Sequence, residues 1–167
     1  LFYKMVKIYM DNYKSGELIL INNEGSSRSS KTWDIFHFIV WFCDNHREQN
    51  QEIYILRDTM INCRDYTMKE FIKCMGVIGI DCSSIVLSPR PSFKLWGNMI
   101  YFRGLDSEIN TEGYPSDLIF INEALETEKE KVQGLKMRCR KLFIKDWNPK
   151  YTSHWCYDEE KQPNVFF

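Results

Sequence analysis

No apolar stretch in the chain approaches the ~20 residues that a membrane-spanning helix needs. The opening residues, Leu1-Phe2-Tyr3-Lys4, do not lead into the long apolar region of a secretory leader. An excess of charge of one sign is also missing. A net charge of −1 over 167 residues removes any bulk electrostatic argument for a nucleic-acid partner and leaves only a local basic patch. The six cysteines, Cys43, Cys63, Cys74, Cys82, Cys139 and Cys156, form no C-x-x-C pair and no short Cys/His cluster. That spacing argues against a zinc site and for scattered free thiols in a reducing cytosol. His37, His46 and His154 have no G-x-S-x-G or comparable partner, and the clustered acids of a two-metal nuclease are not evident. His37 lies inside an apolar run and reads as a core or boundary histidine.

What the chain does hold is enough apolar sequence, 44% hydrophobic, for one domain with a sizeable core. It starts on Leu and stops on Val165-Phe166-Phe167 without a polar tail, which suggests a fragment. The stretch that organises it is Gly25-Ser26-Ser27-Arg28-Ser29-Ser30-Lys31-Thr32. The apolar run Leu18-Ile19-Leu20-Ile21 leads in, and the apolar segment Trp33 to Phe42 leads out. Strand, small-residue loop, Lys-Thr and helix together make the layout of a phosphate-binding loop. Backbone N–H groups of residues 25–32 would wrap the phosphates, Lys31 would reach the β/γ-phosphates, and the Thr32 hydroxyl would bind Mg²⁺. The usual pattern has a second Gly where Ser30 stands.

Periodicity places the other elements. Residues 1–16 read as a short helix or strand and a loop, with Tyr13 either near a nucleotide base or simply a surface aromatic. Strands are expected at Glu17–Asn22, Glu52–Leu56, Ile85–Leu87, Leu118–Ile121 and Leu142–Ile144. Helices are expected at about Lys31–Asn45, Tyr66–Met75 and Glu126–Arg140, and a hairpin at 93–104 turning on Gly97-Asn98. Alternating strands and helices without a repeat predict an α/β fold with a mostly parallel sheet.

Three further features sit on strand tips, where parallel sheets present their functional edge. After Leu118–Ile121 comes Asn122-Glu123. In P-loop ATPases an acidic pair comes after four apolar residues, the first acid serving Mg²⁺ and the second polarising the attacking water. Glu123 fits the water-activating role, and Asn122 takes the metal-side position without a charge. The pair also fits a plain helix start with Asn as N-cap. Asp117 precedes the strand and lies at the wrong end to replace Asn122. Asn148-Pro149 comes after Leu142–Ile144, where Asn148 could sense hydrolysis or simply make a turn. Arg28, inside the loop, could pair with phosphate or with Glu123, and Arg57 sits on a strand tip.

In this order the residues resemble the ATPase domain of the large terminase subunit, the DNA-packaging motor of tailed bacteriophages. Gly25 to Trp33 looks like the family's Gly/Ser-rich, Arg-containing Walker A. Ile55-Leu56-Arg57-Asp58-Thr59 with Arg64, and Ile100 to Asp106, are similar to two of its strand segments. Ile121-Asn122-Glu123-Ala124 holds the Walker B place. Trp147-Asn148-Pro149, then Thr152-Ser153-His154-Trp155, resembles the coupling motif and the segment leading out of it. The resemblance implies a P-loop NTPase of the ASCE type that uses ATP and Mg²⁺ to translocate double-stranded DNA into a capsid. It implies a portal protein and a small terminase subunit as partners, self-association into a ring on the portal, and action in the host cytoplasm. Arg28 would be a cis-acting arginine finger and Asn148 the coupling residue. The family's C-terminal nuclease domain has no counterpart here, so no DNA cutting is expected of residues 1–167. The chain departs from the family at Ser30 and Asn122. The alternatives are a nucleotide-binding module with little hydrolysis, and a P-loop kinase.

Overall fold

The strand β5 (Ser116–Ile121) is buried at every position, because both of its faces and both of its edges are covered. Its apolar run Leu118-Ile119-Phe120-Ile121 suits a strand in the middle of a parallel sheet. The computed structural model describes residues 1–26, 30–106, 115–151, 153–158 and 165–166. In it, β1 (Ile19–Glu24), β2 (Glu52–Arg57), β3 (Ser92–Leu95), β4 (Asn98–Gly104), β5, β6 (Cys139–Trp147) and β7 (Val165–Phe166) form one sheet. The order is β3-β4-β2-β5-β6-β1-β7, and only the β3–β4 pair is antiparallel.

Helices pack on both faces. On one lie α1 (Phe2–Asn12), α2 (Lys31–Asn45) and a helical run from Met60 to Val77 made of α3 (Met60–Asn62), a π-helical turn (Cys63–Met68) and α4 (Lys69–Val77). Phe36, Phe71 and Phe102 meet edge-to-face in this core, with centroids 5.2 and 5.3 Å apart. Burying each such ring contributes roughly 1.5–3 kcal/mol. The other face carries α5 (Lys129–Lys136) and α6 (Trp155–Asp158), with Leu125, Val132, Phe143 and Trp147 packed between them and the sheet. No helix among the described residues is long and apolar enough to cross a membrane.

The mostly parallel α/β sheet expected from the sequence is present, with differences of detail. β1 starts and ends two residues later than expected, and the helix expected at 66–75 belongs to the longer run from Met60 to Val77. Ile85–Leu87 is not a strand. Only Val86 pairs, with Ser92, and the flanking Ser and Pro residues supply no continuing ladder. The hairpin turns on Trp96-Gly97, at φ 48° and 83°, rather than on Gly97-Asn98. Two positive φ values match a tight two-residue hairpin loop. The Trp96 ring lies under the Arg47 guanidinium at 4.3 Å, and a Cβ on Gly97 would come within 2.8 Å of the Glu48 Cα. The helix expected over 126–140 is confined to Lys129–Lys136, because Cys139 pairs with Ser116 in the sheet and Arg140 is drawn to Asp117 at 2.9 Å. Finally, β6 runs three residues beyond Ile144.

All six cysteines are free thiols, and burial raises those of Cys43 and Cys63 to about 12. The stretch Phe102 to Asp106 acts as a fastener for the Met60 helix. Asp106 Oδ1 accepts from the Met60 N–H at 2.8 Å, and a Cβ on Gly104 would lie 1.9 Å from that same nitrogen.

Candidate functional site: three strand tips and a Lys-Thr helix start

Because β1, β6, β5 and β2 run parallel and adjacent, their C-terminal tips share one sheet edge. The phosphate-loop candidate leaves the sheet there. The Gly25 N–H continues the β1–β6 ladder to Trp147 O at 3.2 Å, and α2 begins at Lys31. Ser30 caps α2 in the left-handed region, φ 55° and ψ 11°. Glycine enters that region without steric cost, so the second Gly of the usual pattern has a plain reason and its replacement by Ser stores roughly 1–2 kcal/mol. Ser27, Arg28 and Ser29 lie outside the described residues, as do the expected contacts of Arg28.

Lys31 Nζ donates to Gly25 O at 2.7 Å, Ser26 O at 3.1 Å and Asn148 Oδ1 at 3.0 Å. Asn148 Nδ2 in turn donates to Glu123 Oε1 at 2.9 Å. One amide thus bridges the Lys of the loop and the carboxylate at the end of β5. Glu123 is itself left-handed, φ 56° and ψ 54°, a strained conformation of the kind that gathers at functional sites. Its second oxygen, Oε2, is buried without a hydrogen-bond partner. The N-cap reading of Asn122 fails, because only a three-residue 3₁₀ turn comes next and Asn122 is not its cap.

The residue that sequence reasoning missed is Asp146. It lies one residue before the end of β6, 2% exposed. Its carboxylate accepts from the Thr32 hydroxyl at 3.0 Å, from Asn122 Nδ2 at 3.0 and 3.3 Å, and from the Glu123 N–H at 2.9 Å. Strand alternation carried past Ile144 would have placed it on the α2 face with Leu142 and Ile144. Burial pushes its pKa from 3.8 to about 6, opposed by the Glu123 N–H and Asn122 and reinforced by the Glu123 charge.

A raised carboxyl pKa makes the folded state hold a proton that the unfolded chain has released. The resulting stabilisation is complete below pH 3.8 and is lost as pH rises through about 6. The difference is about 3 kcal/mol. Asp146→Asn keeps the shape and removes this dependence. The nucleotide-free variant is expected to melt several degrees above wild type at pH 7.5 and level with it near pH 4, measured by calorimetric scans across pH. Equal melting temperatures at pH 7.5 would contradict it.

Arg57, at the tip of β2, reaches Asn122 Oδ1 at 3.5 Å, Asp58 at 3.6 Å and Glu126 at 3.5 Å, with its guanidinium 5.4 Å from the Tyr66 ring. Arg64 pairs on the surface with Asp65. Tyr13 lies at the other end of the strands. It stacks on Tyr9 and lines a cavity of about 340 Å³ beside Ile19 and Lys141, the beginnings of β1 and β6. The length of β1, about 16 Å at 3.3 Å per residue, separates that end from the loop, so Tyr13 is a surface aromatic here.

These residues fit a Mg²⁺–nucleotide. A Thr hydroxyl, a buried carboxylate and an orphaned Glu oxygen converge beside a Lys that already collects oxygen acceptors. Among the described residues no group of three or more His, Cys, Asp or Glu could hold a metal alone, so the phosphates would have to complete its coordination.

Sheet order and the arrangement of the strand tips together give the chain a P-loop NTPase fold. No family model matches the sequence, and no curated protein does either. Solved structures do match. The large terminase of a thermophilic bacteriophage aligns over 98% of this chain and 44% of its own, with TM-score 0.72 and 19% identity. The same terminase in complex with ATP-γ-S gives 0.69 and 20%, covering 98% of this chain and 43% of that one. The ATPase domain of the Thermus phage P74-26 large terminase gives 0.53 and 11%, over 84% of this chain and 63% of that one. The chain therefore has the fold of phage large-terminase ATPase domains, and it spans under half the length of the first of these terminases.

Proposed function

We propose that this chain binds ATP with Mg²⁺ and hydrolyses it as the motor unit of a viral DNA-packaging machine. The observation that carries the proposal is the Lys31–Asn148–Glu123 relay across the sheet edge. Residues Gly25 to Thr32 hold the phosphates, with Lys31 on the β/γ oxygens and Thr32 toward the metal. Glu123 orients and deprotonates water. Asn148, in contact with both, reports on the γ-phosphate and couples its loss to movement. Arg28 stabilises charge as a finger in cis. Bound Mg²⁺ would neutralise charge on the phosphates. The terminase fold supports double-stranded DNA as the cargo, and a portal protein, a small terminase subunit and further copies in a ring as partners, in the host cytoplasm. The neutral Asn122 favours one other reading, a nucleotide-binding module without hydrolysis.

The first test is nucleotide binding. ATP with Mg²⁺ at about 100 times its Kd stabilises a protein by about 2.7 kcal/mol. For a domain of this size that raises Tm by roughly 5–10 °C. A scan with no shift at millimolar Mg²⁺–ATP would remove the proposal.

A further inference from the structure

The metal side of the site has a neutral residue where an acid is usual, and an unassigned acid one strand away. We infer that Asp146, on β6, is the carboxylate that serves the nucleotide's divalent cation, and that Asn122, at the tip of β5, is a positioning residue for it. The inference rests on the ATPase reading above and deepens it.

Four observations carry it. First, β6 lies between β5 and β1, so an acid at the tip of β6 is one strand closer to the loop than one on β5. Second, the Thr32 hydroxyl donates its proton to Asp146 Oδ2 at 3.0 Å. The hydroxyl's lone pairs then remain for a cation, directly beside the carboxylate that accepts from it. Third, Asn122 is turned the wrong way to be a ligand. Its Oδ1 accepts from the Thr67 hydroxyl at 2.9 Å and from Arg57, while its Nδ2 donates to both Asp146 oxygens. Flipping the amide would set its oxygen against the carboxylate and its N–H₂ against Arg57, so the network fixes the assignment. Fourth, Asp146 is buried without an ion-pair partner among the described residues. The neighbouring Lys145 points to the opposite face, 4.8 Å from the Trp155 ring. Three donors hold the anion in place and none neutralises it. An arriving dication would supply the missing charge, offsetting the cost of desolvating the carboxylate.

A purely structural role, tying three strand tips together, would rest on the same hydrogen bonds. It predicts a change in melting but none in metal dependence. The separating experiment titrates ATP-γ-S into the full chain by calorimetry, once with Mg²⁺ and once with EDTA. In wild type, Mg²⁺ tightens binding. In Asp146→Asn that tightening is expected to fall at least tenfold, with the EDTA affinity not reduced, because the substitution removes a negative charge from beside the phosphates. Asp146→Glu, which keeps the charge and displaces it by one methylene, should lose part of the tightening, and it carries the test alone if Asp146→Asn does not fold. Mg²⁺ dependence at the wild-type level in the folded variant overturns the inference and leaves the ATPase reading standing. No nucleotide binding by wild type, with or without Mg²⁺, overturns both.

Discussion

Glu123→Gln is expected to slow Mg²⁺-dependent phosphate release from ATP by roughly 10²- to 10⁴-fold, the range that a positioned general base contributes. The substitution isolates the chemistry from the architecture. Gln keeps an Oε1 to accept from Asn148 Nδ2, a bond that is 2.9 Å in the parent, and the backbone N–H that anchors residue 123 to Asp146 is untouched. What disappears is the proton-accepting capacity of Oε2, the buried oxygen with no partner. An amide there offers N–H₂ instead and cannot take a proton from water. Nucleotide binding should survive, because Lys31 and Thr32 are separate from the change. The variant therefore binds and stalls. A nucleotide-binding module without hydrolysis makes a different prediction: wild type and Glu123→Gln release phosphate at the same background rate. A kinase predicts that wild-type turnover depends on a second substrate. The place of Glu123 directly after β5 favours water as acceptor over a second substrate.

Much of this arrangement is legible in the sequence, and the unread remainder has identifiable causes. The β1–loop–α2 unit is readable because three signals agree: a short apolar run, small residues, and Lys-Thr opening a 15-residue apolar helix. Glu123 and Asn148 are readable because each comes after an apolar run too short to be anything but a buried strand. Asp146 is not, because the apolar signal of β6 stops at Ile144, whereas the strand continues through Lys145 and Asp146, both almost fully buried. Buried charges break the hydropathy pattern wherever a fold has a use for them, so the pattern ends early at such a place. A related cause explains the misplaced end of α5. Nothing local separates Cys139 and Arg140 from the charged helical run before them, and it is the pairing of Cys139 with Ser116 and of Arg140 with the buried Asp117, 23 residues earlier in the chain, that draws them into the sheet. The Trp96-Gly97 turn is hidden for another reason. A tryptophan at positive φ contradicts local preference, and the Arg47 stack that accompanies it comes from a distant helix end.

Lys31→Ala should remove most of the ATP-induced rise in melting temperature. The ammonium spans Gly25 O, Ser26 O and Asn148 Oδ1. Bringing phosphate oxygens to it exchanges neutral acceptors for charged ones, and hydrogen bonds to charged groups contribute roughly 1.5–3 kcal/mol. Losing that weakens ATP by about 10- to 150-fold. At an ATP concentration about 100 times the wild-type Kd, a variant weaker by about a hundredfold is only half saturated. Its stabilisation is then about 0.4 kcal/mol, a shift of roughly 1 °C in place of 5–10 °C. Lys31→Arg restores the charge but not the fit. A planar fork is bulkier than an ammonium that already sits within 3.1 Å of three oxygens, so Arg should recover little of the shift. The control is the nucleotide-free protein. Lys31→Ala frees Asn148 Oδ1 from the loop while leaving the Asn148–Glu123 bond in place, so its own melting temperature should move by no more than a few degrees. A variant that melts like wild type without ATP and still shows the full shift with it would place the nucleotide somewhere other than the Gly25–Thr32 loop. The strand-tip relay would then be a structural clasp between β5, β6 and α2.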